Sequence, residues 1–198
     1  MNKSDVQQIR DEIIEAALAD VTFDGWSWDG VCAAAEKAGH KMIVASAVFP
    51  GKMVDVLDGF ADLADRKMLE ALEGVRGEDL RVRDRVKTAL MARFSFLAPH
   101  KEALRQSVQF WILPTRKPRA AKIIWRTADR IWVFAGDTAS DYNRYTKRGL
   151  LSGVITAATL YWLHSNEETL GSLESFVDRR IENVLQFGKV IGRFKKAS

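Results

Sequence analysis

From end to end the apolar residues of this chain recur at intervals of three and four, and no sustained apolar–polar alternation bounded by turn pairs interrupts them. An α-helix turns once every 3.6 residues, so this spacing gathers apolar side chains on one helical face; a strand would need a period of two. Such a chain must bury helix against helix, and the expected class is all-α. Val82, Val86, Ala89, Leu90, Phe94 and Leu97 form one stripe over 80–97, with Arg81, Arg83, Arg85 and Lys87 largely off it, where a solvated face is expected. Ile124, Ala128, Ile131, Trp132 and Ala135 form a second, on a helix opening after Pro118 and stopping at Gly136. A further helix is expected from near Ser140 or Asp141 to about His164. From Leu150 onward it is apolar nearly all round, which predicts burial on most sides. Glycines and prolines cut the whole into about nine helices without a fixed repeat, so one bundle is expected rather than a solenoid.

With 198 residues and 47% apolar content the chain can build a core without covalent staples. Its single cysteine, Cys32, excludes an internal disulfide framework and a multi-cysteine zinc site; on its helix it reads as a small buried hydrophobe. The longest apolar run, Leu150 to Leu163, falls short of the roughly 20 residues a membrane-spanning helix needs, and no amino-terminal signal is read. His40, His100 and His164 are widely separated and match no metal-ligating spacing, and no phosphate-binding, dinucleotide-binding or nucleophile-elbow motif is present. Asp137 and Asp141 straddle an expected helix boundary, where capping is the better reading than paired catalytic carboxylates. The residues thus offer no catalytic site, no metal site and no cofactor site.

The net charge of +4 equals the excess in 178–198, where Arg179, Arg180, Lys189, Arg193, Lys195 and Lys196 oppose Asp178 and Glu182; the first 177 residues are neutral in sum. On a helix Lys189, Arg193 and Lys196 share a face, beside a broad apolar side of Val184, Phe187, Val190, Ile191 and Phe194. That pattern suits attachment to an anionic membrane surface, and it equally suits a terminal helix packed on the bundle with a frayed basic end.

The first fifty residues have their own organisation. A helix bearing Ile9, Ile13, Ile14, Ala16, Ala17 and Leu18 leads through Gly25-Trp26-Ser27 to a second helix from about Trp28 to Ala38, then Gly39-His40 and a short third helix ending at Phe49-Pro50. Ser27 suits the N-cap of the second helix and Gly39 the left-handed position that closes it. This helix-turn-helix resembles the head of tetracycline-repressor-like regulators, and two domains follow: a degenerate head over 1–52 and a helical bundle over 53–198. The third helix, Met42 to Phe49, has only His40 and Lys41 at its entrance, too little to contact phosphates and base edges. A retained packing motif is expected in place of operator binding, and a ligand-responsive transcriptional regulator stands as the alternative function.

Phe94, Phe96, Phe110, Trp111, Trp125, Trp132, Phe134, Tyr142, Tyr145, Tyr161 and Trp162 come from four successive helices. Large aromatics either fill a bundle core or line a pocket within it, and composition does not separate the two. The segment Ala135 to Arg148, AGDTASDYNRYTKR, preceded by Ala128-Asp129-Arg130-Ile131-Trp132, resembles the signature of the coenzyme Q biosynthesis protein nine family. Gly25-Trp26, Phe49-Pro50-Gly51 and the helix ending in Leu97-Ala98-Pro99 are also similar, so the likeness covers roughly 8–185.

The resemblance implies a tetracycline-repressor-like fold without operator recognition. It implies a non-catalytic lipid-binding accessory protein of ubiquinone biosynthesis, which holds an isoprenoid quinone precursor or phospholipid and presents it to the di-iron demethoxyubiquinone hydroxylase. Phe94, Trp125, Trp132, Leu151, Ile155 and Trp162 are the candidate pocket walls. Asp129, Ile131, Arg144 and Tyr145 map onto the partner-facing patch. Arg144 stands where the family usually has tryptophan, so an aromatic anchor is missing and a weaker contact, or a different hydroxylase, is expected. A homodimer is implied, as is a cytoplasmic protein attached peripherally to the inner (cytoplasmic) membrane through its basic carboxy-terminal segment.

Overall fold

A computed structural model describes residues 2–75, 80–138, 142–165 and 170–196, with residues 142 and 185–196 described as backbone only. Among these residues there are nine α-helices and no β-strand: α1 (Lys3–Asp24), α2 (Trp28–Lys37), α3 (Met42–Val48), α4 (Met53–Ala71), α5 (Val82–Leu97), α6 (Lys101–Trp111), α7 (Lys117–Phe134), α8 (Tyr142–His164) and α9 (Gly171–Lys196). Single 3-10 turns, Ala98–His100 and Pro114–Arg116, precede α6 and α7. The chain packs as two compact units, one of residues 1–67 and 96–123 and the other of 68–95 and 124–198; the cuts fall inside α4, α5 and α7.

In the first unit, α1 starts with a capping box in which Asn2 and Asp5 exchange side-chain and backbone bonds. Its buried face, Ile13, Ile14, Ala17, Leu18 and Val21, packs on α2, α3 and α6. The Ser27 hydroxyl accepts from the Gly30 amide at 3.1 Å and opens α2. Gly39, at φ +84°, closes it while the His40 amide reaches back to the Ala35 carbonyl. Both punctuators therefore act as their residue types predict. Trp26 anchors the turn: its backbone amide donates to the Gln106 side chain, its indole N–H donates to the Ala103 carbonyl, and its ring lies 5.6 Å from that of Phe60. Cys32 is buried, and burial pushes its thiol pKa up, so it behaves as a small apolar side chain.

The second unit corrects one expectation and bears out another. The cations of α5 are not a freely solvated face. Arg83 binds Glu182 at 2.6 Å and reaches Asp178, Lys87 bridges Asp178 and Glu174, and Arg85 donates to the Leu80 and Ala135 carbonyls. Arg83 and Lys87 became clamps because acidic side chains of α9 stand opposite them, and Arg85 because backbone carbonyls do, pairings that periodicity within one helix does not contain. As expected, α8 is buried on most sides from Leu150 onward: Leu151, Val154, Ile155, Ala158, Trp162 and Leu163 are buried, while Gly153, Thr156 and Leu160, spaced three and four apart, continue from Gly149 as one exposed stripe. Small residues and threonine tolerate water, so apolar character around α8 did not by itself require a neighbour on every side. The side chains of Lys189, Arg193, Lys195 and Lys196 lie outside the described residues.

Candidate functional site

The signature segment begins where α7 ends. Gly136, at φ +82°, occupies the left-handed position that stops the helix, and the Asp137 amide donates back to the Trp132 carbonyl. One helix later, Arg148 lies three, seven and fourteen residues before Leu151, Ile155 and Trp162, on the buried stripe of α8. A guanidinium on that stripe needs partners, and α7 with its following turn supplies them. Arg148 Nε donates to Asp129 Oδ1, and Nη1 donates to Asp137 Oδ2 at 2.9 Å and to the Arg144 carbonyl at 3.2 Å. Its side chain is 3% exposed and that of Asp137 4%. Burial pulls the Arg148 pKa down, but the hydrogen bonds to Asp129 and Asp137 outweigh it and hold the guanidinium charged.

Lys147 completes the clasp. Its Nζ binds Asp137 Oδ1 at 2.6 Å and sits 5.4 Å from the centre of the Trp132 ring, whose indole N–H donates to the Lys147 carbonyl at 3.0 Å. From the other side, Arg85 Nη1 holds the Ala135 carbonyl at 3.1 Å. The residues that spell the signature thus tie α7 to α8 through a buried ion cluster. Asp137 accepts from both Lys147 and Arg148, which places it in the ion cluster; Asp141, its companion in the capping reading, lies outside the described residues. The sequence did carry a sign of the clasp, a lone arginine on an apolar stripe preceded by Asp129 and Asp137, which taking Asp137 together with Asp141 as a helix-boundary pair did not use.

The six candidate pocket residues take three kinds of place. Phe94, Leu151, Ile155 and Trp162 are buried, with the Phe94 and Trp162 rings edge to face at 5.4 Å. Trp132 is half-buried in the clasp. Trp125 is exposed, its ring 6.2 Å from that of Tyr145. A hollow on this unit is lined instead by Gly149, Leu150, Gly153, Val154 and Ala157 of α8 with Arg180, Asn183 and Val184 of α9. Of the four candidate partner residues, Tyr145 is 63% exposed, Arg144 is exposed with Nη2 3.5 Å from Asp129, and Asp129 is half-buried. Ile131 is fully buried and shapes that surface only from beneath. A tilted aromatic pair, Trp125 and Tyr145, therefore stands at the surface, Tyr145 next in sequence to Arg144, which pairs with Asp129.

Residues 117–188, which contain this whole arrangement, match the family model described as COQ9. Over most of the chain the sequence also aligns with the mitochondrial ubiquinone biosynthesis proteins COQ9 of Rattus norvegicus (24% identical, 96% of this chain), COQ9-A of Xenopus laevis (25%, 92%) and COQ9 of Homo sapiens (22%, 96%). The chain resembles the COQ9 family throughout. It spans 62%, 59% and 61% of those three relatives' lengths. The relatives are mitochondrial by name, which overturns the expected cytoplasmic location. No described helix is long and apolar enough to cross a membrane.

Among solved structures, a TetR transcriptional regulator from Nitrosomonas europaea superimposes with a TM-score of 0.72 at 17% identity, covering 90% of this chain and 99% of that one. The tetracycline-repressor-like fold expected from the head is therefore present, and at this identity the likeness concerns fold alone. The α3 surface carries Met42, 54% exposed, and Ile43, 75% exposed, beside Ser46 and Ala47, a face without the arginine, lysine, asparagine or glutamine side chains that make bidentate contacts to base edges.

Proposed function

We propose that this chain is a non-catalytic lipid-binding accessory protein of ubiquinone biosynthesis. It holds an isoprenoid quinone precursor or a phospholipid in the apolar interior of its second unit, where Phe94, Trp132, Leu151, Ile155 and Trp162 form the walls and Trp125 the rim. The observation that carries this reading is the clasp, which lies inside the COQ9-matching segment and presents Trp125 and Tyr145 at the surface. Tryptophan and tyrosine are among the residue types that dominate protein interfaces. They serve here, with Arg144 and Asp129, as the contact for the demethoxyubiquinone hydroxylase. Carrying an isoprenoid tail through water would cost about 0.8 kcal/mol per exposed methylene, so a protein interior is a physically sufficient reason for an accessory protein to exist. The open stripe of Gly149, Gly153, Thr156 and Leu160 on α8 is the seat of a second copy, which makes the working form a homodimer.

Native mass spectrometry of the purified protein, followed by solvent extraction, tests both points. A dimer that releases an isoprenoid or phospholipid in near-stoichiometric amount is expected. A protein that leaves purification empty and takes up nothing from vesicles loaded with quinone precursors would reduce Phe94, Leu151, Ile155 and Trp162 to ordinary core.

A further inference from the structure

The neutral sum of the first 177 residues hides an uneven distribution. Within the first unit, residues 103–123 contain Arg105, Arg116, Lys117, Arg119 and Lys122 and no aspartate or glutamate. Three of these cations are occupied locally. Arg105 pairs with Glu102, and Arg119 with Asp58. The Arg116 guanidinium lies 3.5 Å above the Phe110 ring and donates to the Phe110 carbonyl. Lys117 and Lys122 are exposed and meet no carboxylate among the described residues. Nor do they stabilise α7, since they stand in its first two turns, where the helix dipole disfavours positive charge and where no acidic residue offsets them.

Directly before these lysines, at the tip between α6 and α7, Ile112 is 63% exposed and Leu113 48% exposed, with Pro114 following. Two large exposed aliphatic side chains at a turn, followed by cations that meet no described carboxylate, combine two separate unfavourable placements in one stretch of chain. We propose that this tip docks on an anionic lipid surface, with Ile112 and Leu113 entering the headgroup–acyl boundary and Lys117 and Lys122 meeting headgroup phosphates. Charge complementarity selects the occupant class, and the aliphatic pair selects lipid over nucleic acid, whose phosphate backbone offers Ile112 and Leu113 nothing to bury against. The inference does not depend on a bound quinone precursor.

The test is co-sedimentation of the full chain with phosphatidylcholine vesicles, with and without phosphatidylglycerol, at rising salt. Binding only to the anionic vesicles, falling as salt rises, is expected. Lys117→Gln with Lys122→Gln should weaken it about 25-fold, about fivefold for each charge. Ile112→Ser with Leu113→Ser should weaken it about tenfold or more at every salt concentration, through lost apolar burial. A thermal melt of each variant that matches the parent keeps the result about binding. Vesicle binding that neither pair of substitutions changes would overturn the proposal and move the lipid contact to another part of the chain. So would a protein that ignores vesicles yet binds duplex DNA through Lys117 and Lys122, or one whose self-association alone responds to Ile112→Ser with Leu113→Ser. Lipid uptake by a protein that fails this test would leave the accessory role intact, which separates the two readings.

Discussion

Two cation-rich stretches of this protein use the same side chains to opposite ends. In the α7–α8 clasp, Lys147 and Arg148 meet Asp137 and Asp129, and the Arg148–Asp137 pair at its centre is closed off from solvent while Lys147 and Asp129 lie at its edges. At the α6–α7 tip, Lys117 and Lys122 meet no described carboxylate and flank exposed aliphatics. The difference lies in what stands opposite. A charge is internalised only where partners return its lost hydration, and otherwise it stays in water for something outside the chain to meet. The first arrangement builds a scaffold, and the second leaves a surface.

The largest effect should come from breaking the clasp. Arg148→Ala leaves two carboxylates beside an emptied site, and removing one partner of a buried ion pair costs about 3–5 kcal/mol. For a chain of this size that corresponds to a fall in Tm on the order of 10 °C, measurable by calorimetry. A melt unchanged by Arg148→Ala would mean that the cluster is no more than decoration on the α7–α8 packing.

A smaller effect is expected at the half-exposed clamp between α5 and α9. The Lys87 ammonium holds the Asp178 carboxyl below its ordinary range, against burial and with help from Arg83. The folded state therefore binds a proton at Asp178 less readily than the unfolded one. Its stabilisation is complete above the unfolded pKa of about 3.9 and is lost as pH falls through the lower folded value. Because these side chains are partly in water, the loss should be no more than about 1 kcal/mol. Asp178→Asn should flatten stability against pH across that acidic window, and an unchanged slope would place the titration elsewhere.

The smallest effect sharpens the comparison. Lys117→Gln with Lys122→Gln should change unfolding stability by less than about 0.5 kcal/mol, since neither lysine has a partner to lose. A large destabilisation in chemical denaturation would show that the tip is structural after all and erase the distinction from the clasp.

Much of the architecture was legible in the chain. Helical periodicity identified the elements, Ser27 and Gly39 punctuated the helix-turn-helix, Gly136 ended α7, and the AGDTASDYNRYTKR segment marked the stretch that later matched the COQ9 model. The site was legible less completely. Trp125 and Trp132 entered the same list of pocket walls, yet one ring is exposed against Tyr145 and the other is held in the clasp, because side chains seven residues apart share a helical face and differ in what stands opposite. The same omission hid the tip: summing charge over 177 residues cancelled Lys117 and Lys122 against acids far from them.

What the sequence by itself determined is local, since hydrogen-bonded turns, caps and left-handed glycines depend on neighbours within a few residues, and those are written in order. The tertiary structure alone decided which charges are internal. Arg83, Lys87 and Arg148 are bound by carboxylates contributed from other helices or from the turn after α7, while Lys117 and Lys122 are left to solvent. The energy of a charge depends on distance and hydration in three dimensions, and neither quantity is set by its place along the chain.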